Sequence, residues 1–294
     1  VTKTRKSIAY QGEPGANSHI ACSEAYPDYE AVACRTFEDA FSAVEQGDCA
    51  LAMIPIENSL AGRVADIHHL MPESNLYIIG EHFLPIHHNL LILPDAELDK
   101  VKTVHSHVHA LGQCRKIIRE LGLHAKVAAD TAGAARELAE HGDPTEAAIA
   151  SSLAAQIYGL KTARSHIEDE DHNMTRFVIL SSEPDDAEPE DAPVITSFVF
   201  RVRNVPAALY KAMGGFATNG VQMTKLESYV DAHFVTAQFY ADIEGHPSDR
   251  PVRLALEELA FFTSYLRVLG TYKASPVRTE LAAKAEAAAN GGRP

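Results

Sequence analysis

Through the first 180 residues, short apolar runs alternate with stretches of helical periodicity. Ser7–Tyr10, Ala31–Cys34 and Ala50–Ile54 read as strands, and the segments 16–26 and 37–46 between them read as helices. The alternation resumes with strands at Tyr77–Gly80, Leu90–Leu93, Val101–Val104, Lys126–Ala129 and Ala147–Ala150, and with helices over 110–121, 132–141 and 152–158. A repeated β-α order predicts a largely parallel sheet. The pattern supplies two α/β lobes, about 7–80 and about 81–167. The run Thr175–Leu180 is one more strand, which returns to the first lobe and brings residues 168–182 with it. Two crossings between the lobes make the cleft the natural ligand site.

Beyond residue 194 the pattern changes to strand 195–202, helix 207–218, strands 223–229 and 234–241, helix 252–261 and strand 265–272. That order is βαββαβ, an α+β ferredoxin-like unit whose uncovered sheet face or edge is expected to pair with another copy. Residues 181–193 hold three prolines, six acids and no large apolar side chain, which predicts an interdomain linker over 183–193. The Ala-rich stretch 274–294 is expected to be a mobile tail with a transient helix over 281–289. The expected domains are therefore 1–182 and 194–273.

Forty acidic against 26 basic side chains leave a formal charge of −14, which excludes the basic footprint of a nucleic-acid binder. No apolar run reaches the roughly 20 residues of a bilayer span, and Val1–Lys6 does not read as a signal peptide. A soluble, unprocessed, cytoplasmic protein is expected, with Cys22, Cys34, Cys49 and Cys114 as reduced, buried thiols. The histidines offer the triplet His105, His107, His109 and the pairs His68–His69 and His87–His88 as metal candidates. A helix starting near His107 scatters the triplet, no zinc spacing occurs, and no metal is assigned. Glycine-rich nucleotide loops and the serine-hydrolase elbow are also absent from the sequence.

Small polar residues gather at the predicted strand ends. Gln11–Ala16 opens a helix and presents backbone N–H groups suited to an anion, although an ordinary βα turn has the same form. Asn58 and Ser59 end the third strand and suit a helix cap or a ligand contact equally. Ser106 and Gln113 offer a hydroxyl and an amide from one helix start and its second turn. Asn173, Thr175, Arg176 and Phe177 open the returning strand.

In order, the segments Tyr10–Ala16, Pro55–Ser59, His88–Leu91, Ser106–Cys114, Asp130–Ala135, Ala147–Ser151 and Asn173–Phe177 resemble prephenate dehydratase. Residues 194–273 resemble the family's regulatory ACT domain, with Asn219–Ser228 in the expected place. The resemblance implies a two-lobed, periplasmic-binding-protein-like catalytic domain that converts prephenate to phenylpyruvate, carbon dioxide and water, toward phenylalanine. Aromatisation drives that reaction, so no cofactor or metal is implied. Thr175 matches the catalytic threonine, donating to the departing hydroxyl. Asn58, Ser59, Ser106 and Gln113 match substrate contacts. Gln11, Gly12 and Arg176 suit carboxylates, and Asn173 and Phe177 flank them.

Pro206, Ala207, Ala208, Leu209, Asn219, Val221, Glu227 and Ser228 fall at the effector positions, with phenylalanine the implied effector and a homodimer or homotetramer the implied assembly. Two departures stand out. Val108 and His109 replace the family's Pro-Gln after Ser-His, and Ala207 replaces its glycine in Gly-Ala-Leu, while Tyr229 and Val230 replace Arg-Pro. An extra Cβ at Ala207 is expected to crowd an amino-acid ligand. The alternatives are an arogenate dehydratase, using the aminated substrate, and a catalytically silent amino-acid sensor.

Overall fold

The computed structural model describes residues 6–64, 67–191, 193–230 and 237–291. The chain begins with β1 (Ser7–Gln11), α1 (Asn17–Ala25), β2 (Glu30–Cys34), α2 (Phe37–Glu45), β3 (Leu51–Asn58), β4 (Gly62–Arg63), α3 (Ile67–Glu73) and β5 (Tyr77–Pro85). It continues with β6 (Asn89–Ile92), β7 (Thr103–Ser106), α4 (Val108–Gln113), α5 (Arg115–Glu120), β8 (His124–Val127), α6 (Thr131–His141), β9 (Glu146–Ala150), α7 (Ser152–Tyr158) and β10 (Lys161–Arg164). Then follow β11 (Met174–Ser181), β12 (Val194–Val202), α8 (Ala208–Thr218), β13 (Met223–Val230), β14 (Ala237–Glu244), α9 (Arg250–Phe262), β15 (Thr263–Lys273) and α10 (Pro276–Gly291). No helix among the described residues is long and apolar enough to cross a membrane.

Two sheets form the first part, in the orders β2-β1-β3-β11-β5, with β4 on β3, and β10-β6-β9-β7-β8. The chain passes from the first sheet to the second through residues 86–88 and returns through 165–173. The expected parallel pairing is met between β1 and its neighbours β2 and β3, and between β7 and its neighbours β8 and β9. It fails at β6, which runs antiparallel to both β9 and β10. No β-α unit leads into β6, which arrives by the crossover from the first sheet, so the handed rule that makes βαβ neighbours parallel does not act on it.

The alternation of strand side chains divides the second lobe's core. Leu90, Ile92, Ala147 and Ile149 enter one cluster, with Val104 and Cys114, while Leu91, Ala148 and Ala150 enter another beneath α6 and α7. Both faces are apolar because helices cover both, which is why these strands read as continuous apolar runs. The single helix expected over 110–121 is broken in two at Cys114, whose φ of −123° leaves the helical region. The reason is a distant acid. Asp169 accepts hydrogen bonds from the Arg115 and Lys116 N–H groups at 3.1 and 3.0 Å, and its own N–H donates to the Gln113 carbonyl at 2.6 Å. A carboxylate on first-turn N–H groups starts a fresh helix there.

By compactness the chain divides into two units, residues 1–64 with 83–177, and 65–82 with 178–294. The second carries β12, α8, β13, β14, α9 and β15 in the βαββαβ order, as an antiparallel sheet ordered β13-β14-β12-β15. Phe198, Phe200, Phe216, Phe239 and Leu259 fill its core. Residues 234–236, expected to begin the third strand, lie outside the described residues. The acidic stretch before β12 is tied to β15: the Ala187 N–H donates to the Thr271 carbonyl at 2.8 Å, the Thr271 N–H donates to Asp186 at 3.1 Å, and Asp191 pairs with Lys273 at 3.0 Å. Its backbone and acids find partners that its composition does not announce.

The C-terminal stretch, expected as a mobile tail, forms α10. The Arg278 guanidinium donates two hydrogen bonds, at 2.7 and 2.8 Å, to the buried Glu81 carboxylate, which also accepts from the Ser275 N–H at 2.9 Å. A bidentate arginine on a buried carboxylate gives anchoring that the Ala-rich composition lacks.

Ala207, at the N-cap of α8, has φ +59°. A Cβ in the left-handed region costs roughly 1–2 kcal/mol, so the glycine that the resemblance expects here answers a backbone demand. Ala207→Gly is expected to raise stability by about 1 kcal/mol. A higher urea midpoint with an unchanged slope reports it.

Candidate active site

β3 and β11 bring their strand ends together, and the side chains there form a directed hydrogen-bond chain. The Asn58 carbonyl oxygen accepts from the Leu60 and Ala61 N–H groups at 3.0 and 2.8 Å, which fixes the amide orientation. Its Nδ2 therefore donates. It lies 2.9 Å from Thr175 Oγ1, 2.8 Å from Asn173 Oδ1 and 3.2 Å from the Met174 carbonyl. Asn173 Nδ2 in turn donates to Gln113 Oε1 at 2.8 Å, and His88 Nε2 donates to the same oxygen at 2.8 Å. Ser59 is bound into the strand pairing, its hydroxyl donating to the His172 carbonyl and accepting from the Met174 N–H, both at 2.9 Å.

Thr175 is held at 9% exposure with its oxygen already accepting from Asn58. A hydroxyl carries one donor and two acceptor positions, so the arrangement leaves its proton to point at a ligand. Asn58, Gln113, Asn173 and Thr175, all expected at the site, are thus joined in one network. The network also contains His88, which the sequence offers as a metal candidate and as part of a family segment but not as a partner of Gln113. Its signal was the motif itself; a neutral, buried histidine shows no pattern of its own.

A cleft of about 320 Å³ is lined by Gln11, Gly12, Ala16, Asn17, Ser18, His107, Ala129, Asp130 and Thr131. It is flanked by the N-terminal ends of α1 from one lobe and α6 from the other. Ala16 at the N-cap of α1 offers no side-chain acceptor and the first turn holds no acid, so that helix end keeps its partial positive charge. At α6 the Asp130 carboxylate accepts from the Gly133 N–H at 2.6 Å and occupies the corresponding position. Gln11 and Gly12, expected as carboxylate binders, line this cleft. Asn17 and Ser18 read in the sequence as ordinary helix-start residues, while His107 was offered only as a metal candidate and Asp130 and Thr131 only as part of a family segment.

Three expected site residues are placed differently. Ser106 is fully buried, its hydroxyl donating to the Ile149 carbonyl at 2.6 Å. Phe177 is a core side chain at 1% exposure. The Arg176 guanidinium, equally buried, pairs with Glu57 at 3.1 Å, so its charge is met by a carboxylate of the protein. In the second unit, Asn219 donates to the Gly215 carbonyl of its own helix at 2.8 Å, Ala208 is buried, Leu209 and Val221 pack on the core, and Glu227 faces Lys225 at 3.4 Å. Pro206 and Ser228 are exposed, and Ala207 holds the strained cap.

Burial lowers the pKa of His19, His88 and His107 below the ordinary 6.5. At His88 the hydrogen bond to Gln113 opposes burial without overcoming it. His19 Nδ1 accepts from the Gly15 N–H at 3.1 Å, so a proton there removes a bond from the turn at the cleft. A folded pKa below the unfolded one means that the unfolded chain takes up protons first. The contribution of these histidines to stability is therefore expected to be level above pH 6.5 and to be lost as the pH drops below it. Melting temperatures measured across that range test this.

The family model for prephenate dehydratase matches residues 8–185. The chain belongs to the prephenate dehydratase family. A bifunctional N-acyl-homoserine lactone acylase/prephenate dehydratase of Komagataeibacter europaeus is 48% identical, over 92% of this chain and 97% of its own length. An arogenate dehydratase/prephenate dehydratase of Arabidopsis thaliana is 40% identical, over 90% of this chain and 68% of its own. The solved prephenate dehydratase of Arthrobacter aurescens in complex with L-Phe superposes with a TM-score of 0.84 at 27% identity, covering 97% of this chain and all of that one. In this prephenate dehydratase homologue, the matched span covers both lobes and the whole Asn58–Thr175 network.

Proposed function

We propose that the protein is a prephenate dehydratase, converting prephenate to phenylpyruvate, carbon dioxide and water. The observation that carries the reading is Thr175, buried at a strand end with its oxygen accepting from an orientation-fixed Asn58 and its proton left to donate. Such a donor stabilises the hydroxide that develops as the ring hydroxyl departs. The α1 N-terminus with Gln11 and Gly12 suits a carboxylate of the dianion, and Asn58, Asn173 and Gln113 hold Thr175 in place. Ser59 acts through the backbone of the same strand end. Arg176 contributes by fixing β3 to β11 through Glu57, rather than as the cation for the substrate.

Incubation with prephenate is expected to yield phenylpyruvate above the spontaneous rate, and more slowly to yield phenylalanine from arogenate. Product from arogenate alone makes it an arogenate dehydratase, and product from neither makes it a sensor. The βαββαβ unit serves as an ACT domain in this reading, in a homodimer or homotetramer of the cytoplasm. The L-Phe bound to the Arthrobacter aurescens enzyme supports phenylalanine as effector. Titrating phenylalanine is expected to change rate or assembly; no change in either removes the allosteric part.

A second activity, N-acyl-homoserine lactone hydrolysis, is favoured by the 48% identical relative that carries both names. Release of homoserine lactone from an N-acyl-homoserine lactone tests it separately.

A further inference from the structure

The two crossovers between the sheets run against each other outside the proposed active site. The Ile167 N–H donates to the His88 carbonyl at 2.9 Å, and Glu168 Oε2 accepts from the His88 N–H at 2.9 Å. The histidine pair at 87–88 is thereby split: His88 turns inward to Gln113, and His87 turns outward. We propose that His87, His166 and Glu168 form a binding site for one late first-row divalent cation, of the zinc type.

Three lone-pair atoms converge there. His87 Nδ1 lies 2.7 Å from Glu168 Oε1 and 3.1 Å from His166 Nδ1, and His166 Nδ1 lies 3.8 Å from Glu168 Oε1. Ligand bonds of about 2.0–2.1 Å in tetrahedral geometry put donor atoms roughly 3.3 Å apart, so these separations bracket what a zinc ion needs. Without a cation the group is poorly served. A hydrogen on His87 Nδ1 satisfies either the carboxylate or the second imidazole well, but not both, because the ring nitrogen carries only one. A cation in that position engages all three at once.

The surroundings already hold the donors in place. Glu168 is 8% exposed, and its other oxygen is fixed by the His88 N–H, which turns Oε1 toward His87. His166 adopts φ +52°, a backbone state that non-glycine residues seldom take, and it brings the two rings to 4.3 Å between centroids. His87 and His166 are 48% and 64% exposed, leaving solvent positions for water to complete the coordination. Two imidazoles and one carboxylate suit zinc, cobalt or nickel over calcium or magnesium. Occupancy would fasten the outgoing crossover at His87 to the returning one at His166 and Glu168, which leads into Thr175.

The test uses the full chain stripped with EDTA and titrated with ZnCl₂ by calorimetry, and with CoCl₂ by visible absorption. One equivalent of Zn²⁺ and a low-symmetry Co²⁺ spectrum are expected. H166Q and H87Q should each weaken binding by more than the roughly 10–100-fold that loss of a ligand's own hydrogen-bond partner costs, and should abolish the Co²⁺ bands. H166Q is expected to keep its circular dichroism and its metal-free turnover. Absence of a stoichiometric site, or binding that persists at full strength in either variant, overturns the proposal. Neither titration reads catalysis, so this result and the test of the dehydratase reading are independent.

Discussion

Thr175→Ala is expected to lower kcat on prephenate by about 100- to 1,000-fold with little change in KM, the range for removing one positioned donor from developing negative charge. That corresponds to roughly 2.7–4 kcal/mol of transition-state stabilisation. The structure makes the substitution a clean one. Asn58 Nδ2 keeps Asn173 Oδ1 and the Met174 carbonyl as acceptors when the hydroxyl is removed, and its own carbonyl remains fixed by Leu60 and Ala61. The Asn173–Gln113–His88 part of the chain does not involve Thr175 at all. The loss should therefore fall on turnover rather than on folding. Thr175→Ser, which retains the donor, is expected to recover most of the rate, whereas the near-isosteric Thr175→Val is not. Equal losses in kcat and in substrate affinity would make Thr175 a positioning residue and remove its role at the departing hydroxyl.

The largest expected effect on stability lies at Gly270. The register of β15 on β12 shifts between Ser197 and Phe198, opposite Gly270 and Val268, and there β15 meets the backbone of β5. A Cβ at Gly270 would overlap the Ile78 carbonyl and crowd the Ile78 nitrogen at 3.1 Å. The obstacle is backbone within a strand, which has no rotamer to yield, and a glycine in a strand often marks such a close approach. Gly270→Ala is expected to cost at least about 3 kcal/mol. Differential scanning calorimetry should show a fall in melting temperature of roughly 10 °C. Gly214→Ala is the matched control: it lies inside α8 with open space around its Cβ position, and is expected to be neutral or to stabilise by up to about 1 kcal/mol. Similar melting temperatures for the two variants would show that β15 and β5 can part at little cost.

Much of the site was legible because its parts lie in short ordered segments. Asn58, Asn173, Thr175 and Gln113 were named from strand ends and motif order, and the structure joins them into one network. Ser106 and Phe177 carry the same motif signal but are buried in the core, because a motif preserves packing residues as faithfully as it preserves contacts. Arg176 illustrates a second limit. Its charge was visible, but Glu57, 119 positions away in the chain, determines what that charge does.

The sequence by itself determined the order of elements and the βαββαβ unit, since each depends on local pattern and propensity; the left-handed backbone at Ala207 and the grouping of residues 65–82 with 178–294 came from the tertiary structure. Only the tertiary structure decided what the acids do. Residues 168–191 hold ten acids against Arg176 alone, and read as a solvated run. Folded, the half-buried Glu168 bonds His87 and the His88 N–H, Asp169 starts α5, and Asp186 and Asp191 fasten the chain to β15. The antiparallel course of β6 and the anchoring of α10 by Glu81 belong with them. In each case the partner lies far along the chain. A charge's energy depends on what surrounds it in space, and the sequence gives the group without its surroundings.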